Sequence, residues 1–368
     1  MTTPDPGADP HALYQSALAL FGQGRYAEGA QQLGQAAQAG HLSAMSLLGA
    51  QLLSGRAIAP DPVAGIRMIM AAAERGGGYA CAQAGALCAA GASGSADWPR
   101  ALDYLQRAAE LGFTPAQEQL RLLAGGGGEA GNGARHSDWG RLRRAVSLDA
   151  WRKTPEPRVL SEAPLIRAYD QVFPPEVCDW IIARGRGRLA PAQVFDSVTG
   201  GAMRHADRRN SAAEFIIADV DLVLLAVRER LAAAAGLDVA NMEGPQLLHY
   251  AIGETFAPHH DFLDAEKEGY ARDIAFRGQR VATCLIYLNE DLEGGETDFP
   301  LLGLRHRGRR GDVLVFMNVD AGGQPDPRTQ HAGLPPTAGE KWVLSQWVRN
   351  RPPPGAGDPR IAAALAGR

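Results

Sequence analysis

The chain has 368 residues, more than one hydrophobic core usually organises, so two or more domains are expected. Hydrophobic residues make up 45% and charged residues 21%, with a formal net charge of −4 and no block of one sign, so neither nucleic acid nor an acidic membrane surface is expected as a partner. Cys81, Cys88, Cys178 and Cys284 form no C-x-x-C, no apolar run is long enough to span a bilayer, and the start lacks a basic and apolar leader, so a cytoplasmic protein with reduced thiols is expected.

The first third repeats itself. Ala36-Ala37-Gln38-Ala39-Gly40, Ala72-Ala73-Glu74-Arg75-Gly76 and Ala108-Ala109-Glu110-Leu111-Gly112 follow one another at 36 residues. The same offset joins Ala44, Ala80 and Ala116, then Gly49 and Gly85, and Leu33, Ile69 and Leu105. A period in this range marks stacked helix pairs, whose small residues allow close approach. Gly40, Gly76 and Gly112 stand where each helix needs a C-terminal cap. The pattern resembles Sel-like repeats, relatives of the tetratricopeptide repeat, over residues 12–124. Such arrays bind proteins or peptides on a concave face.

From 125 to 150 a glycine-rich linker is expected, followed by a short solvated helix carrying Arg141, Arg143 and Arg144. Residues 151–352 change texture. Pro174–Ile182 and Asp219–Ala235 have helical signals, the second with Val220, Val223, Leu224, Val227 and Leu231 at helical spacing. Gln246–Tyr250, Val281–Leu288, Asp312–Phe316 and Trp342–Val348 are short runs bounded by Gly, Pro, Asn and Asp, as strands are. Helices followed by many short strands suggest an α+β double-stranded β-helix, or jelly roll. Residues 353–368 are read as a Pro-, Gly- and Ala-rich tail.

Pro258-His259-His260-Asp261 carries the chemistry. In an extended strand, residues i and i+2 point the same way, so His259 and Asp261 can converge on one ion while His260 faces away. A third ligand must come from elsewhere, and His331, just before Ala332-Gly333, is a candidate among nine histidines. Two imidazoles and one carboxylate leave coordination positions open, the pattern of a non-haem iron(II) centre. Lys341, one of three lysines, stands ten residues after His331, where a cation can meet the far carboxylate of a keto-diacid. Strand parity groups Lys341, Val343, Ser345 and Trp347 on one face, and Thr283, Leu285 and Tyr287 on another.

The ordered set His249-Tyr250-Ala251-Ile252-Gly253, Pro258–Asp261, Gly278–Thr283, Leu285–Asn289, Gly294–Thr297, Phe299-Pro300, Gly311–Phe316, His331–Gly333 and Gly339–Trp342 resembles the prolyl 4-hydroxylases over about residues 160–350. The resemblance implies that His259, Asp261 and His331 hold Fe(II) and that Lys341 pairs with 2-oxoglutarate. It further implies that Tyr250, Thr283 and Tyr287 belong to the cosubstrate pocket, and that Arg280 and Trp347 shape the substrate side. Arg280 has the wrong parity for the face of Thr283 and Tyr287, so it must leave that face or start the strand. Gly294, Gly295 and Glu296 are expected to form a structural turn. The activity implied is hydroxylation of a prolyl residue in a protein or peptide, using O2 and 2-oxoglutarate, releasing succinate and CO2, with ascorbate as reductant and the repeats recruiting the substrate. Arg208-Arg209-Asn210-Ser211 departs from the Arg-Thr-Ser stretch of the family, which leaves a free amino acid or another side chain open as substrate. A repeat-based interaction protein with an inactive barrel is the remaining alternative.

Overall fold

The computed structural model describes residues 9–55, 58–92, 94–125, 138–195, 202–203, 208–216, 219–352 and 358–366. The expected glycine-rich linker, at 126–137, and the head of the expected tail, at 353–357, lie outside them. The chain divides into two compact units. The first comprises Met1–Leu148, Ile216–Leu225 and Gly355–Arg368, and the second Asp149–Phe215 and Ala226–Pro354.

Among the described residues, the first unit begins with seven helices, α1 (Pro10–Gly22), α2 (Tyr26–Gln38), α3 (Leu42–Ser54), α4 (Pro62–Glu74), α5 (Gly78–Ala89), α6 (Trp98–Glu110) and α7 (Thr114–Gly125). The 36-residue period has a physical basis at both helix ends. Asp61 and Asp97 accept from the amides of Ala64 and Arg100 at 3.0 and 3.1 Å, capping α4 and α6. Gly40, Gly76 and Gly112 have φ of 85°, 86° and 82°. There the amides of His41, Gly77 and Phe113 return to the carbonyls of Ala36, Ala72 and Ala108, closing each helix the same way.

Helix α8 (Trp139–Ala145) falls where a solvated helix was expected, but it is docked. Arg143 pairs with Asp103 of α6 at 2.7 Å, and the Arg121 guanidinium lies 5.0 Å from the Trp139 ring centre. The supposed tail carries a further helix, Pro359–Leu365, whose last carbonyl accepts from Arg100 at 2.8 Å. Its Ala364 and Leu365 are buried because they pack in the repeat unit.

The second unit contains helices α9 (Leu148–Arg152), α10 (Pro175–Arg186), α11 (Leu222–Ala235) and α12 (Glu268–Arg277), wholly or in part. Its strands are β1 (Arg158–Glu162), β2 (Leu165–Tyr169), β3 (Ala190–Pro191), β4 (Val194–Phe195), β5 (Ala202–Met203) and β6 (Ser211–Glu214). They continue with β7 (Gln246–Tyr250), β8 (Phe256–His259), β9 (Arg280–Tyr287), β10 (Leu292–Gly294) and β11 (Thr297–Phe299). Last come β12 (Leu304–His306), β13 (Val313–Met317), β14 (His331–Gly333), β15 (Pro336–Gly339) and β16 (Lys341–Arg349). The larger sheet runs β1-β2-β13-β9-β16-β7-β6-β3, and a four-stranded sheet runs β12-β11-β14-β8. All pairings in both are antiparallel.

The core lies between these sheets. Ile166, Leu285, Leu314, Phe316 and Val343 of the larger sheet meet Phe299 of the smaller. Phe299 and Phe316 cross edge to face at 5.2 Å and 83°, a contact worth ~1 kcal/mol beyond area burial. No helix among the described residues is long and apolar enough to cross a membrane.

Candidate active site

Strand pairing brings the two candidate histidines together. β14 runs antiparallel to β8 with His331 directly opposite His259, and their ring centres are 4.3 Å apart. Asp261 follows β8 in a bend rather than in the strand, yet its carboxylate returns to both rings. Its Oδ1 is 3.8 Å from His259 Nε2 and its Oδ2 3.5 Å from His331 Nε2. All three donor atoms lie within 4.8 Å of one another, and this is the single such His/Cys/Asp/Glu group among the described residues.

The donor set fits a divalent metal. Each imidazole hydrogen-bonds through Nδ1 to a carbonyl, His259 to Ala257 at 2.9 Å and His331 to Thr329 at 3.0 Å. A carbonyl only accepts, so Nδ1 carries the proton and Nε2 is left with a lone pair aimed at the shared point. Burial, reinforced by His331, pushes the His259 pKa down to about 3, so it is neutral at ordinary pH. Burial works against ionisation of Asp261, but the neighbouring imidazoles, Arg280 and the Thr283 hydroxyl outweigh it and hold the carboxyl below its usual range. His260 points away, bonding the Pro327 carbonyl at 2.9 Å and packing on Phe262.

Beside the triad a cavity is lined by His259, Asp261, His331, Tyr250, Thr297, Arg208, Lys341, Val343, Ser345 and Trp347, among others. Its floor follows from sheet register: Lys341 faces Tyr250, Val343 faces Leu248 and Tyr287, and Trp347 faces Thr283. Lys341 is only 4% exposed, its ammonium 5.1 Å from the Tyr250 ring centre. Among the described residues no carboxylate pairs with it. Burial pushes its pKa down to about 8, against a weaker upward pull from Glu296. A buried ammonium without a counter-charge costs several kcal/mol and calls for an anionic ligand.

Three residues assigned to the site from sequence stand behind the side chains that line the cavity. Thr283 does not line the cavity. It is fully buried, donates to Asp261 Oδ2 at 2.7 Å, and accepts from Asn318 Nδ2 at 3.0 Å, so it orients the carboxylate. Tyr287 also stands behind the wall, its hydroxyl 2.8 Å from Thr297 Oγ1, and Thr297 is the one that reaches the cavity. Arg280 likewise sits behind the lining. It stacks on Trp347 at 3.8 Å and is gripped by Glu243 at 2.7 and 3.0 Å, a carboxylate shared with Arg349 at 2.6 Å. A register shift between β9 and β16 inserts Val281 between Arg280 and Ala282, and this bulge turns Arg280 onto the Trp347 face.

Thr297, Glu243, Asn318 and Arg208 were not given roles from sequence. Thr297 ends a Gly-Gly-Glu-Thr turn whose Gly294 and Gly295 have φ of 69° and 72°, a pattern that signals the turn and not the role of its last residue. Glu243 and Asn318 carry no local signal, since their partners lie 37 and 35 residues away.

Comparison with known proteins agrees with this geometry. A family model described as "2OG-Fe(II) oxygenase superfamily" matches residues 245–349. Prolyl 4-hydroxylase 1 of Arabidopsis thaliana is 33% identical over 211 residues, covering 53% of this chain and 72% of the relative. Prolyl 4-hydroxylase subunit alpha-1 of Rattus norvegicus is 30% identical over 210 residues, covering 57% of this chain and 37% of the relative. Among solved structures, a viral collagen prolyl hydroxylase from Paramecium bursaria Chlorella virus-1 aligns with 25% identity over 50% of this chain and 95% of its own, with a TM-score of 0.40. A Sel1 repeat protein from Oxalobacter formigenes aligns with 22% identity over 41% of this chain and 64% of its own, with a TM-score of 0.30. With a His-Asp-His donor set, a buried lysine and a plant relative aligned over most of its length, the chain belongs to the prolyl 4-hydroxylase family of 2-oxoglutarate- and iron(II)-dependent dioxygenases.

Proposed function

We propose that this dioxygenase hydroxylates a prolyl residue of a protein or peptide, converting 2-oxoglutarate and O2 to succinate and CO2 as one oxygen atom enters the substrate C–H bond. One juxtaposition carries the reading: an electron-rich His-Asp-His donor set and a buried ammonium, unpaired among the described residues, line the same cavity. A keto-diacid needs a metal at one end and a cation at the other.

In this reading His259, Asp261 and His331 would hold Fe(II), which would supply the redox chemistry. Lys341 neutralises the distal carboxylate of 2-oxoglutarate, and the Thr297 hydroxyl can donate to the same group. Tyr250, Leu248, Leu285 and Val343 exclude water from the wall around it. Thr283 and Asn318 keep the Asp261 carboxylate turned toward the ion, and Tyr287 keeps Thr297 in place. Glu243 fixes Arg280 against Trp347, so the indole presents a rigid face to an incoming substrate. Ascorbate serves as reductant after unproductive turnover. The repeats hold the substrate protein near the cavity, raising its effective concentration. The four buried free thiols support a reducing, cytoplasmic setting.

The test is mass spectrometry of Pro-containing peptides and cell lysate incubated with the iron-loaded protein and 2-oxoglutarate. Addition of one oxygen to proline, lost in His331→Ala together with succinate release, is expected. Consumption of 2-oxoglutarate with only non-prolyl products would remove the prolyl substrate and leave the oxygenase.

A further inference from the structure

Among the described residues, Arg208 is the one guanidinium that lines the cavity. It is 9% exposed, and among the described residues it hydrogen-bonds only neutral oxygens. Nη1 donates to the Gln193 carbonyl at 2.8 Å, Nη2 to Gln246 Oε1 at 3.3 Å, and Nε to Asn210 Oδ1 at 3.4 Å. The guanidinium lies 4.6 Å from the centre of the Phe256 ring, which stacks on His259 at 3.5 Å. Burial pulls its pKa down, opposed by Tyr250 and Asp261, but a guanidinium stays protonated in proteins.

Charge counting isolates this residue. With a ferrous ion and 2-oxoglutarate in place, the two charges of the ion and the Lys341 ammonium balance Asp261 and the two carboxylates of the cosubstrate. Arg280, the neighbouring cation, already has Glu243. Among the described residues, Arg208 therefore keeps a full, desolvated positive charge at the wall of an otherwise neutral centre. Three of its five N–H groups are satisfied by neutral oxygens, and a guanidinium held in that way is oriented for a further acceptor.

We infer that Arg208 binds a carboxylate of the substrate beside the pyrrolidine ring to be hydroxylated. This rests on the prolyl reading above and narrows it. The carboxylate has two sources, an acidic residue flanking the target proline in a polypeptide or the α-carboxylate of free proline, and the chemistry of recognition is the same for both.

The experiment measures binding without turnover, on the full chain loaded anaerobically with Fe(II) and 2-oxoglutarate. Peptides differing only in Glu, Gln or Lys beside one proline, and free L-proline, are titrated by calorimetry; oxygen is then admitted and products are read by mass. Glu-Pro is expected to bind about tenfold or more tighter than Gln-Pro, with Lys-Pro weakest. Arg208→Gln should reduce that ratio to near one, and Arg208→Glu should invert it toward Lys-Pro, an inversion that a purely structural arginine would not produce. Retained 2-oxoglutarate binding shows that a variant is folded, and if none folds, the wild-type peptide ratio alone decides. Equal wild-type affinity for all three peptides would overturn the inference while leaving prolyl hydroxylation intact. Binding and oxidation of free proline with rejection of every peptide would keep the role of Arg208 and remove the polypeptide substrate. Normal 2-oxoglutarate binding with no affinity for any proline ligand would end both.

Discussion

Single side chains set the charge state of this site, and Lys341 is the clearest case. Its pKa near 8 lies below the ordinary 10.5 because the ammonium is buried. The folded, unliganded chain therefore releases this proton before the unfolded chain does. Between about pH 8 and 10.5 the unfolded state binds more protons, so Lys341 makes stability rise with pH across that window, by on the order of a few kcal/mol. Affinity for 2-oxoglutarate should move the opposite way, falling as pH rises past about 8, because only the ammonium pairs with the dianion. Melting temperatures and 2-oxoglutarate titrations across pH 7–10 test both slopes, and Lys341→Met should abolish both. Thr283 gives a second residue-level outcome. Thr283→Val keeps the shape but removes the hydrogen bond to Asp261 Oδ2 and strands the Asn318 amide. Metal affinity should fall roughly 10- to 100-fold, as for other groups that orient a ligand, measured by competition with a chromophoric chelator.

At the scale of elements, the site depends on how strands pair, and this divides what was legible in the sequence from what was not. The His-x-Asp spacing pointed to convergence through strand parity. In the fold Asp261 lies past the end of β8 and reaches His259 and His331 through a bend, so the outcome stands on a different local geometry. Nothing local could reveal that β14 would set His331 opposite His259, since register is a property of two strands. The parity conflict at Arg280 was visible, but its resolution was not, because the bulge exists only against β16. Thr283 lies on the face that parity gives it, and what the sequence does not show is that its hydroxyl there donates to the Asp261 carboxylate. Tyr287 shows the same dependence on a distant loop. A Cβ at Gly308 would lie 2.0 Å from its ring, so only glycine lets that loop pass. Gly308→Ala should displace Tyr287 and loosen Thr297, costing about 1–3 kcal/mol of stability and raising the KM for 2-oxoglutarate more than that for peptide. Thermal melts and paired KM values would show it; equal effects on both KM values would mean that Tyr287 does not act through Thr297.

For the whole molecule, the partition into a repeat array and a catalytic half is legible from the 36-residue period and the ordered motifs, yet the chain does not divide at one point. Residues Ile216–Leu225, inside the catalytic half of the sequence, and Gly355–Arg368 at its end group with the helical unit. Gln119 of α7 accepts from the amide of Leu222 at 3.1 Å, and Val220 joins Leu53, Ile69 and Leu87 around one small cavity. The helical signal at 219–235 was correct as an element but silent about which core it served, because periodicity reports a buried face and not its partner. A fragment starting at 149 would carry Leu222, Val223 and Leu224, all fully buried in the intact chain, without the residues of the repeat unit. Each such side chain is worth roughly 1.5–3 kcal/mol when buried, a sum comparable with the stability of an ordinary domain. That fragment should therefore aggregate or melt well below the full chain, and should recover when Val220, Leu222 and Leu224 are replaced by polar residues. Solubility and melting temperature of the two fragments decide the matter, and an unmodified fragment as stable as the full chain would show that the segment 216–225 contributes nothing outside the catalytic core.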